Sequence, residues 1–298
     1  MYDIIIIGCG PAGMTSAIYA ARANKKVLVL EKETIGGQMA SSPLIENYPG
    51  YDAIEGSVLA NNMFEQLSKF NVDVEIEEVI KIEDGKVKKV ITDSNTYEAK
   101  SIIVATGSKY RLLGLDNEEN LIGKGIHFCV ACDGAFYKDK TVAVIGGGNS
   151  AVINAITLSD ICKKVYLIQN LDKLTAENVL VDKLYNIDNV EVILSSKVDS
   201  IIGDDELNSI NIKTNDEDKN IKLDGMFISI GLDPQSDIVK DLLNINKYGY
   251  IESVDGVTNI DGIFVAGDCR DKKIRQVTVA TSDGTIAAIA AINYLESV

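Results

Sequence analysis

One structural unit occurs twice in the chain and limits the fold more than any other feature. Ile4 to Ile7 is a short apolar strand, Gly8-Cys9-Gly10-Pro11-Ala12-Gly13 follows as G-x-G-x-x-G, and Met14 to Ala23 is helix-like. Val27 to Leu30 is the next strand, with Glu31 at its end. In mid-chain the order returns: strand Thr141 to Ile145, turn Gly146-Gly147-Gly148-Asn149-Ser150-Ala151, helical stretch Ala151 to Leu158, strand Val165 to Ile168, then Gln169. Gly8 and Glu31 are 23 positions apart, and so are Gly146 and Gln169. The glycines permit a tight turn and close backbone approach, the helix N-terminus offers free N–H groups to a pyrophosphate, and a terminal acid accepts hydrogen bonds from a ribose. Alone the motif is weak; inside a strand–turn–helix–strand unit it is specific. Two copies predict an α/β chain with two Rossmann-type dinucleotide-binding domains.

The intervening and following segments fit that scheme. Asp73 to Glu83 and Lys86 to Asp93 alternate around Asp84-Gly85, a hairpin signature. Ser101 to Val104 reads as a buried strand ending in Ala105-Thr106-Gly107-Ser108, and Gly262 to Ala266 as another running into Gly267-Asp268. Thr281 to Leu295 is helical, with Gly284 near its start. No apolar run reaches the roughly 18–20 residues that cross a bilayer, so no membrane association is expected. The apolar opening follows Asp3 and reads as a strand, not a signal peptide. A formal net charge of -15 makes nucleic acid a poor partner, since such binding neutralises phosphates. Two small basic clusters, Lys86, Lys88 and Lys89, and Lys272, Lys273 and Arg275, read as solvated loops.

Between the two glycine turns lies Cys129-Val130-Ala131-Cys132-Asp133-Gly134. A C-x-x-C pair can close into a disulfide, bind zinc or act as a redox dithiol. Cys9, Cys162 and Cys269 are isolated and His127 is the only histidine, so a four-ligand zinc site lacks its second half and no metal is expected. A redox dithiol is the better reading. Five cysteines with one close pair do not form a secreted disulfide framework, and a cytoplasmic location is expected.

Together these features resemble the low-molecular-weight thioredoxin reductases, within the flavoproteins with two dinucleotide-binding domains. The resemblance spans essentially the whole chain. Its anchors are Gly8 to Gly13, Gly36-Gly37-Gln38, Glu46-Asn47-Tyr48-Pro49-Gly50, Ala105-Thr106-Gly107, Cys129 to Gly134, Gly146 to Ala151, Gly267-Asp268 and Arg275-Gln276-Val277. It implies two three-layer ββα domains, the second inserted into the first. Residues 1–112 and 244–298 would bind FAD, and 113–243 would form the NAD(P)H-binding-like domain carrying the C-x-x-C. FAD would rest its pyrophosphate on Gly8, Gly10, Pro11, Ala12 and Gly13 and its ribose on Glu31. Gly37, Gln38 and Asn47 would lie along the flavin, Val79 would contact the adenine, and Ala105, Thr106 and Gly107 would close the cradle. Gly267 and Asp268 would hold the ribityl chain, with Arg275, Gln276 and Val277 at the isoalloxazine. Cys132 would be the cysteine nearer the flavin, Cys129 the thiolate that attacks thioredoxin, and Asp133 the proton carrier. The alternative for Asp133 is a solvated helix cap. His127 reads as a surface or satisfied structural residue, and Cys9, Cys162 and Cys269 as packing residues. A homodimer is expected.

One departure matters. NADPH-dependent members follow the second unit with His-Arg-Arg, three residues and Arg, whose charges grip the 2′-phosphate. Here those positions read Gln169-Asn170-Leu171 and Thr175. Charge-assisted bidentate bonds are lost, and Lys173 alone cannot replace their geometry. NADPH is therefore not expected, and the pattern resembles the ferredoxin-dependent flavin thioredoxin reductases. Thioredoxin and ferredoxin are the expected partners, with the 272–275 cluster as a docking patch for ferredoxin. The alternative is a thioredoxin reductase that uses NADPH or NADH through atypical contacts. A lesser one is a flavin redox sensor without turnover. Ferredoxin–NADP⁺ reductases of the thioredoxin-reductase type lack the C-x-x-C, which argues against them.

Overall fold

Four consecutive isoleucines, Ile4 to Ile7, are each no more than 4% exposed. A strand buried on both faces belongs inside a parallel sheet. The computed structural model, which describes residues 1–42, 44–214 and 218–297, places it there. Tyr2–Ile7 (β1) leads through helix Pro11–Arg22 (α1) to Val27–Glu31 (β2), then to Gly56–Leu67 (α2), Val72–Ile76 (β3), Val79–Glu83 (β4), Lys88–Thr92 (β5) and Thr96–Val104 (β6). β1 lies between β2 and β6, parallel to both, with Ile4 opposite Val27 and Ser101. β3 continues the parallel sheet beyond β2.

The pleat of β1 divides its isoleucines between two cores. Ile4 and Ile6 pack with Met14 and Ala17 of α1, while Ile5 and Ile7 pack with Val79, Ile82 and Val90 of an antiparallel layer formed by β4 and β5. Helix, parallel sheet and antiparallel sheet are thus three layers. β6 joins the two sheets: Ala99 pairs with Lys88 of β5 on one side and with Tyr2 of β1 on the other.

The middle of the chain repeats the plan. Ser108–Tyr110 (β7), Ile126–His127 (β8), Val130–Asp133 (α3), Thr141–Ile145 (β9), Asn149–Ser159 (α4), Lys164–Ile168 (β10), Asn178–Tyr185 (α5) and Val190–Ile193 (β11) come first. Lys197–Ile202 (β12), Ser209–Lys213 (β13), Asp218–Lys222 (β14), Gly225–Ile228 (β15) and Leu232–Pro234 (β16) follow. A five-stranded parallel sheet runs in the order β11-β10-β9-β15-β8. Val142 and Val144 face Ala151, Ala155 and Leu158 of α4, and Ala143 and Ile145 face Val198, Ile210 and Ile212 of the antiparallel sheet β12-β13-β14. The chain then returns with Ile263–Val265 (β17), parallel to β6, and helix Val277–Ser297 (α6).

The fold is the expected α/β one, with two dinucleotide-binding domains. Its two compact units are Met1–Lys109 with Asp233–Val298, and Tyr110–Leu232. The sequence reading set these divisions at 112/113 and 243/244; Val239 and Leu243 lie in the core with Val79 and Ile82. No helix among the described residues is long and apolar enough to cross a membrane.

Two local expectations change. The stretch 73–83 is not one hairpin strand: β3 ends at Ile76, paired with Glu31 of β2, and a new strand starts at Val79 in the other layer. Val79, inside the single strand expected from the sequence, is instead the first residue of a separate hairpin strand. The last helix begins at Val277, four residues before the expected start.

α1 and α6 approach closely where Gly284 faces the α1 backbone; a Cβ there would strike the Ala12 carbonyl oxygen. Ser16 Oγ bridges the same junction, 2.9 Å from both the Ala12 and Gly284 carbonyl oxygens. Replacing Gly284 by Val should force the helices apart and cost about 1–3 kcal/mol of stability, read as an earlier midpoint in urea unfolding.

Candidate functional site

The first glycine turn is shaped to approach a ligand with bare backbone. Gly8 has φ +106°, and a Cβ there would strike the Ala105 carbonyl oxygen. Only glycine fits. α1 starts at Pro11 after Gly10, with no side chain capping its end. Pro11 has no N–H to leave unpaired, and the amides of Ala12 and Gly13 are left without intrahelical partners. A Cβ on Gly10 would meet nothing within 4 Å. At the end of β2, Glu31 Oε2 accepts the Cys9 amide at 2.7 Å and Oε1 accepts those of Lys32 and Glu33 at 2.9 Å.

Other segments gather around this turn. The Gly36 amide donates to the Cys9 carbonyl at 2.9 Å, which sets Gly37 and Gln38 beside the loop. The Ala105 amide donates to Ile7 at 2.8 Å, the Gln235 amide donates to the Gly107 carbonyl at 2.9 Å, and the Thr106 hydroxyl donates to the Gln235 carbonyl. A Cβ on Gly267 would stand 3.0 Å from Ala12. Asn47 Nδ2 donates to Gln276 Oε1 at 3.2 Å, joining two expected flavin-side residues 229 positions apart. Arg275 stacks 4.2 Å over the Tyr250 ring, and its Nε is buried without a hydrogen-bond partner. Val277 opens α6. Val79 stands apart from these contacts, paired with Thr92 across the antiparallel layer. Free amides for a pyrophosphate, a carboxylate at the strand end and an unpartnered guanidinium nitrogen fit the FAD that the resemblance implies.

Acidic residues here answer the late basic cluster. Asp283, 5% exposed, pairs with Arg270 at 2.7 Å and Lys272 at 2.9 Å, and accepts the Gly267 amide at 3.2 Å. Lys272 also pairs with Asp268 at 2.8 Å, and its side chain is 9% exposed. Lys272 is thus structural, and the expected 272–275 docking patch is corrected on that point. Lys88, read as solvated, is likewise buried and pairs with Asp84 at 2.6 Å.

In the second unit Cys129 and Cys132 are joined as a disulfide. Cys129 is the N-cap residue of α3, and its carbonyl accepts the Asp133 amide at 3.0 Å. The four-residue turn is what lets sulfurs at i and i+3 meet. Asp133 is 7% exposed, which removes the solvated-cap reading. Its Oδ2 lies 3.3 Å from His127 Nδ1, and its Oδ1 has no hydrogen-bond partner. His127 is 6% exposed and its Nε2 is 2.7 Å from the Tyr137 hydroxyl. The imidazole stacks on Phe227 at 5.5 Å, with Tyr137 edge-on to both rings at 5.4 Å. Burial, reinforced by the Asp133 charge, pushes the Tyr137 phenol well above its usual range. Sequence reading passed over Tyr137 and Phe227; aromatic residues at those spacings carry no motif.

The other cysteines are inert by position. Burial, with Glu31 nearby, pushes the Cys9 thiol up to about 12, and burial with Asp139 and Asp224 raises Cys162 to about 11. Cys269 is raised by complete burial.

The second glycine turn is closed by the chain itself. The Gln169 side chain folds back over Gly147, so that a Cβ there would fall within 2.8 Å of Gln169 Cγ and closer to its amide. The Thr175 amide donates to the Gly147 carbonyl at 2.8 Å. Asn149, the first residue of α4, exchanges two bonds with Glu177, Nδ2 to Oε1 at 3.1 Å and Oδ1 from the Glu177 amide at 2.8 Å. Residues 169–177 therefore strap the second glycine turn through the Gln169 side chain, the Thr175 amide and Glu177.

Comparison with known proteins accords with the geometry. A family model described as pyridine nucleotide-disulphide oxidoreductase matches residues 2–284. The chain is 39% identical to the thioredoxin reductase of Bacillus subtilis over 301 residues, covering 99% of this chain and 95% of that protein. It is 43% identical to the 34.2 kDa protein in the rubredoxin operon of Clostridium pasteurianum, covering 98% and 97% respectively. The crystal structure of thioredoxin reductase from Streptococcus pyogenes superposes with a TM-score of 0.95 at 44% identity, covering 100% of this chain and 99% of that one.

Iodoacetamide at pH 8 should therefore label the reduced, folded protein at Cys129 and Cys132 alone. With a thiol at about 12, Cys9 has roughly one part in 10⁴ as thiolate there. Peptide mass spectrometry checks this, and an adduct on Cys9 or Cys269 before unfolding contradicts it.

Proposed function

The chain belongs to the thioredoxin reductase family of pyridine nucleotide-disulphide oxidoreductases, and from that premise we propose that it reduces thioredoxin through FAD and the Cys129–Cys132 dithiol, taking electrons from reduced ferredoxin. The observation that carries the disulfide chemistry is the C-x-x-C pair itself, closed across one helical turn with a buried carboxylate at the next residue. Cys129 would attack the thioredoxin disulfide, Cys132 would resolve the mixed disulfide, and Asp133 would carry the proton between sulfurs.

Gly8, Gly10, Ala12 and Gly13 would hold the FAD pyrophosphate, and Glu31 its ribose. Gln38, Asn47, Arg275 and Gln276 would border its flavin end. When bound, FAD supplies a carrier that accepts single electrons and yields them in pairs. That is the property needed to couple a one-electron donor to a dithiol.

The donor follows from the second turn. Gln169 lies over Gly147, Thr175 and Glu177 tie the strap down, and the positions that carry arginines in NADPH-dependent members hold Asn170, Leu171 and Thr175, with Gln169 at the histidine position. A 2′-phosphate would meet no guanidinium fork, and the dinucleotide would first have to displace the strap. These features support a donor other than a pyridine nucleotide. No iron–sulfur cluster belongs to this chain on this reading, because only one close cysteine pair is present.

Anaerobic titration tests the donor. Reduced ferredoxin should bleach the bound flavin, and micromolar NADPH or NADH should leave it oxidised. Rapid bleaching by either nucleotide would replace ferredoxin with a nucleotide in this scheme. Independently, Cys129→Ser and Cys132→Ser should each take thioredoxin turnover to background while the flavin still accepts electrons.

A further inference from the structure

His127 comes from β8, the edge strand of the second parallel sheet, and reaches Asp133 at the end of α3. The contact joins two groups that are both more than nine-tenths buried. We propose that His127 is a positioning residue for the dithiol, holding Asp133 by Oδ2 so that Oδ1 is the oxygen that exchanges a proton with Cys132, and that Tyr137 sets the imidazole tautomer which makes this possible.

The geometry supplies the parts. In the neutral imidazole one nitrogen donates and the other accepts. With Tyr137 donating its hydroxyl to Nε2 at 2.7 Å, the ring proton sits on Nδ1, 3.3 Å from Asp133 Oδ2. Tyr137 keeps its proton because burial holds the phenol far above neutrality. Phe227 fixes the ring plane, and Gly225 leaves room for the Tyr137 ring, which a Cβ at that position would strike. One carboxylate oxygen is thus occupied and the other, buried and unpartnered, is left for the proton. The other titratable or charged groups around this set are Glu206, Asp224 and Cys162 towards Tyr137, and Lys140 over the Tyr137 ring at 5.2 Å.

The step balances within the exchange chemistry proposed above, on which this inference rests. Cys129 thiolate attacks the thioredoxin disulfide; one S–S bond breaks and a mixed disulfide forms. Cys132 gives its proton to Asp133 Oδ1 and attacks the Cys129 sulfur, which re-forms the Cys129–Cys132 bond. The departing thioredoxin thiolates are protonated, one by Asp133 and one by water. The dithiol is oxidised and thioredoxin is reduced by two electrons and two protons.

The test uses the full-length flavoprotein reduced with dithiothreitol, alkylated with iodoacetamide across pH 5 to 9 and read cysteine by cysteine. An ionised Asp133 opposes thiolate formation beside it. H127Q removes the donor that holds Asp133 Oδ2 and D133N removes the carboxylate itself, so both should move the alkylation inflection down by about one pH unit. Y137F should move it the same way by less. In H127Q/D133N the shift should equal that of D133N alone, because the histidine acts only through the carboxylate. An H127Q profile lying on the wild-type curve, or shifts that add in the double variant, would overturn the proposal. If H127Q fails to fold, Y137F decides: an unmoved profile overturns it.

A second readout compares thioredoxin with 5,5′-dithiobis(2-nitrobenzoic acid), whose leaving thiolate needs no proton. The ratio of the two rates should fall at least tenfold in H127Q; an unchanged ratio counts against the inference. Alkylation after dithiothreitol reduction needs neither thioredoxin nor the physiological electron donor. A protein that reduces some other disulfide would therefore fail the functional reading while still reporting on His127.

Discussion

Burial on both faces of one central strand per domain is the condition on which the rest of the molecule depends. Ile4 to Ile7 in β1 and Val142 to Ile145 in β9 have no solvent side, so each requires helices on one face and a second sheet on the other. That layering leaves the strand ends uncovered, the C-terminal ones among them. The chain turns there through glycines, and both candidate nucleotide sites lie at those ends. Packing thus sets where chemistry can occur before any polar residue is placed.

The two turns then diverge in what fills them. At the first, the carboxylate of Glu31 binds the loop's own amides and keeps the turn open towards α1. At the second, the neutral Gln169 folds inward and the following loop bonds across the glycines. A residue one methylene shorter or longer is not the point; an amide that both donates and accepts can satisfy itself locally, whereas a carboxylate only accepts. The same scaffold therefore carries an open turn in one place and a strapped one in the other.

Local grammar explains which features could be read from the sequence. Glycine turns, strand runs and the C-x-x-C are contiguous, and they located the two dinucleotide-binding units and the dithiol. Contacts made across long separations were hidden. Lys272 looked like part of a surface patch until Asp283, on a different element, was found beside it. The 73–83 stretch alternated smoothly although its two halves join different sheets, because alternation marks a strand without naming its partner. Asp133 read equally well as a solvated cap, and only the fold, by bringing His127, Tyr137 and Phe227 around it, gives it a buried setting.

The three free cysteines have a consequence for fidelity. Cys9, Cys162 and Cys269 are buried in three separate cores, each with its proton held on. A disulfide is shuffled only when a thiolate reaches one of its sulfurs. A chain that opens and closes the same bond at every turnover thus carries no internal competitor for it. Its oxidised form remains a single isomer, because the only thiols able to re-form the bond are the two that opened it.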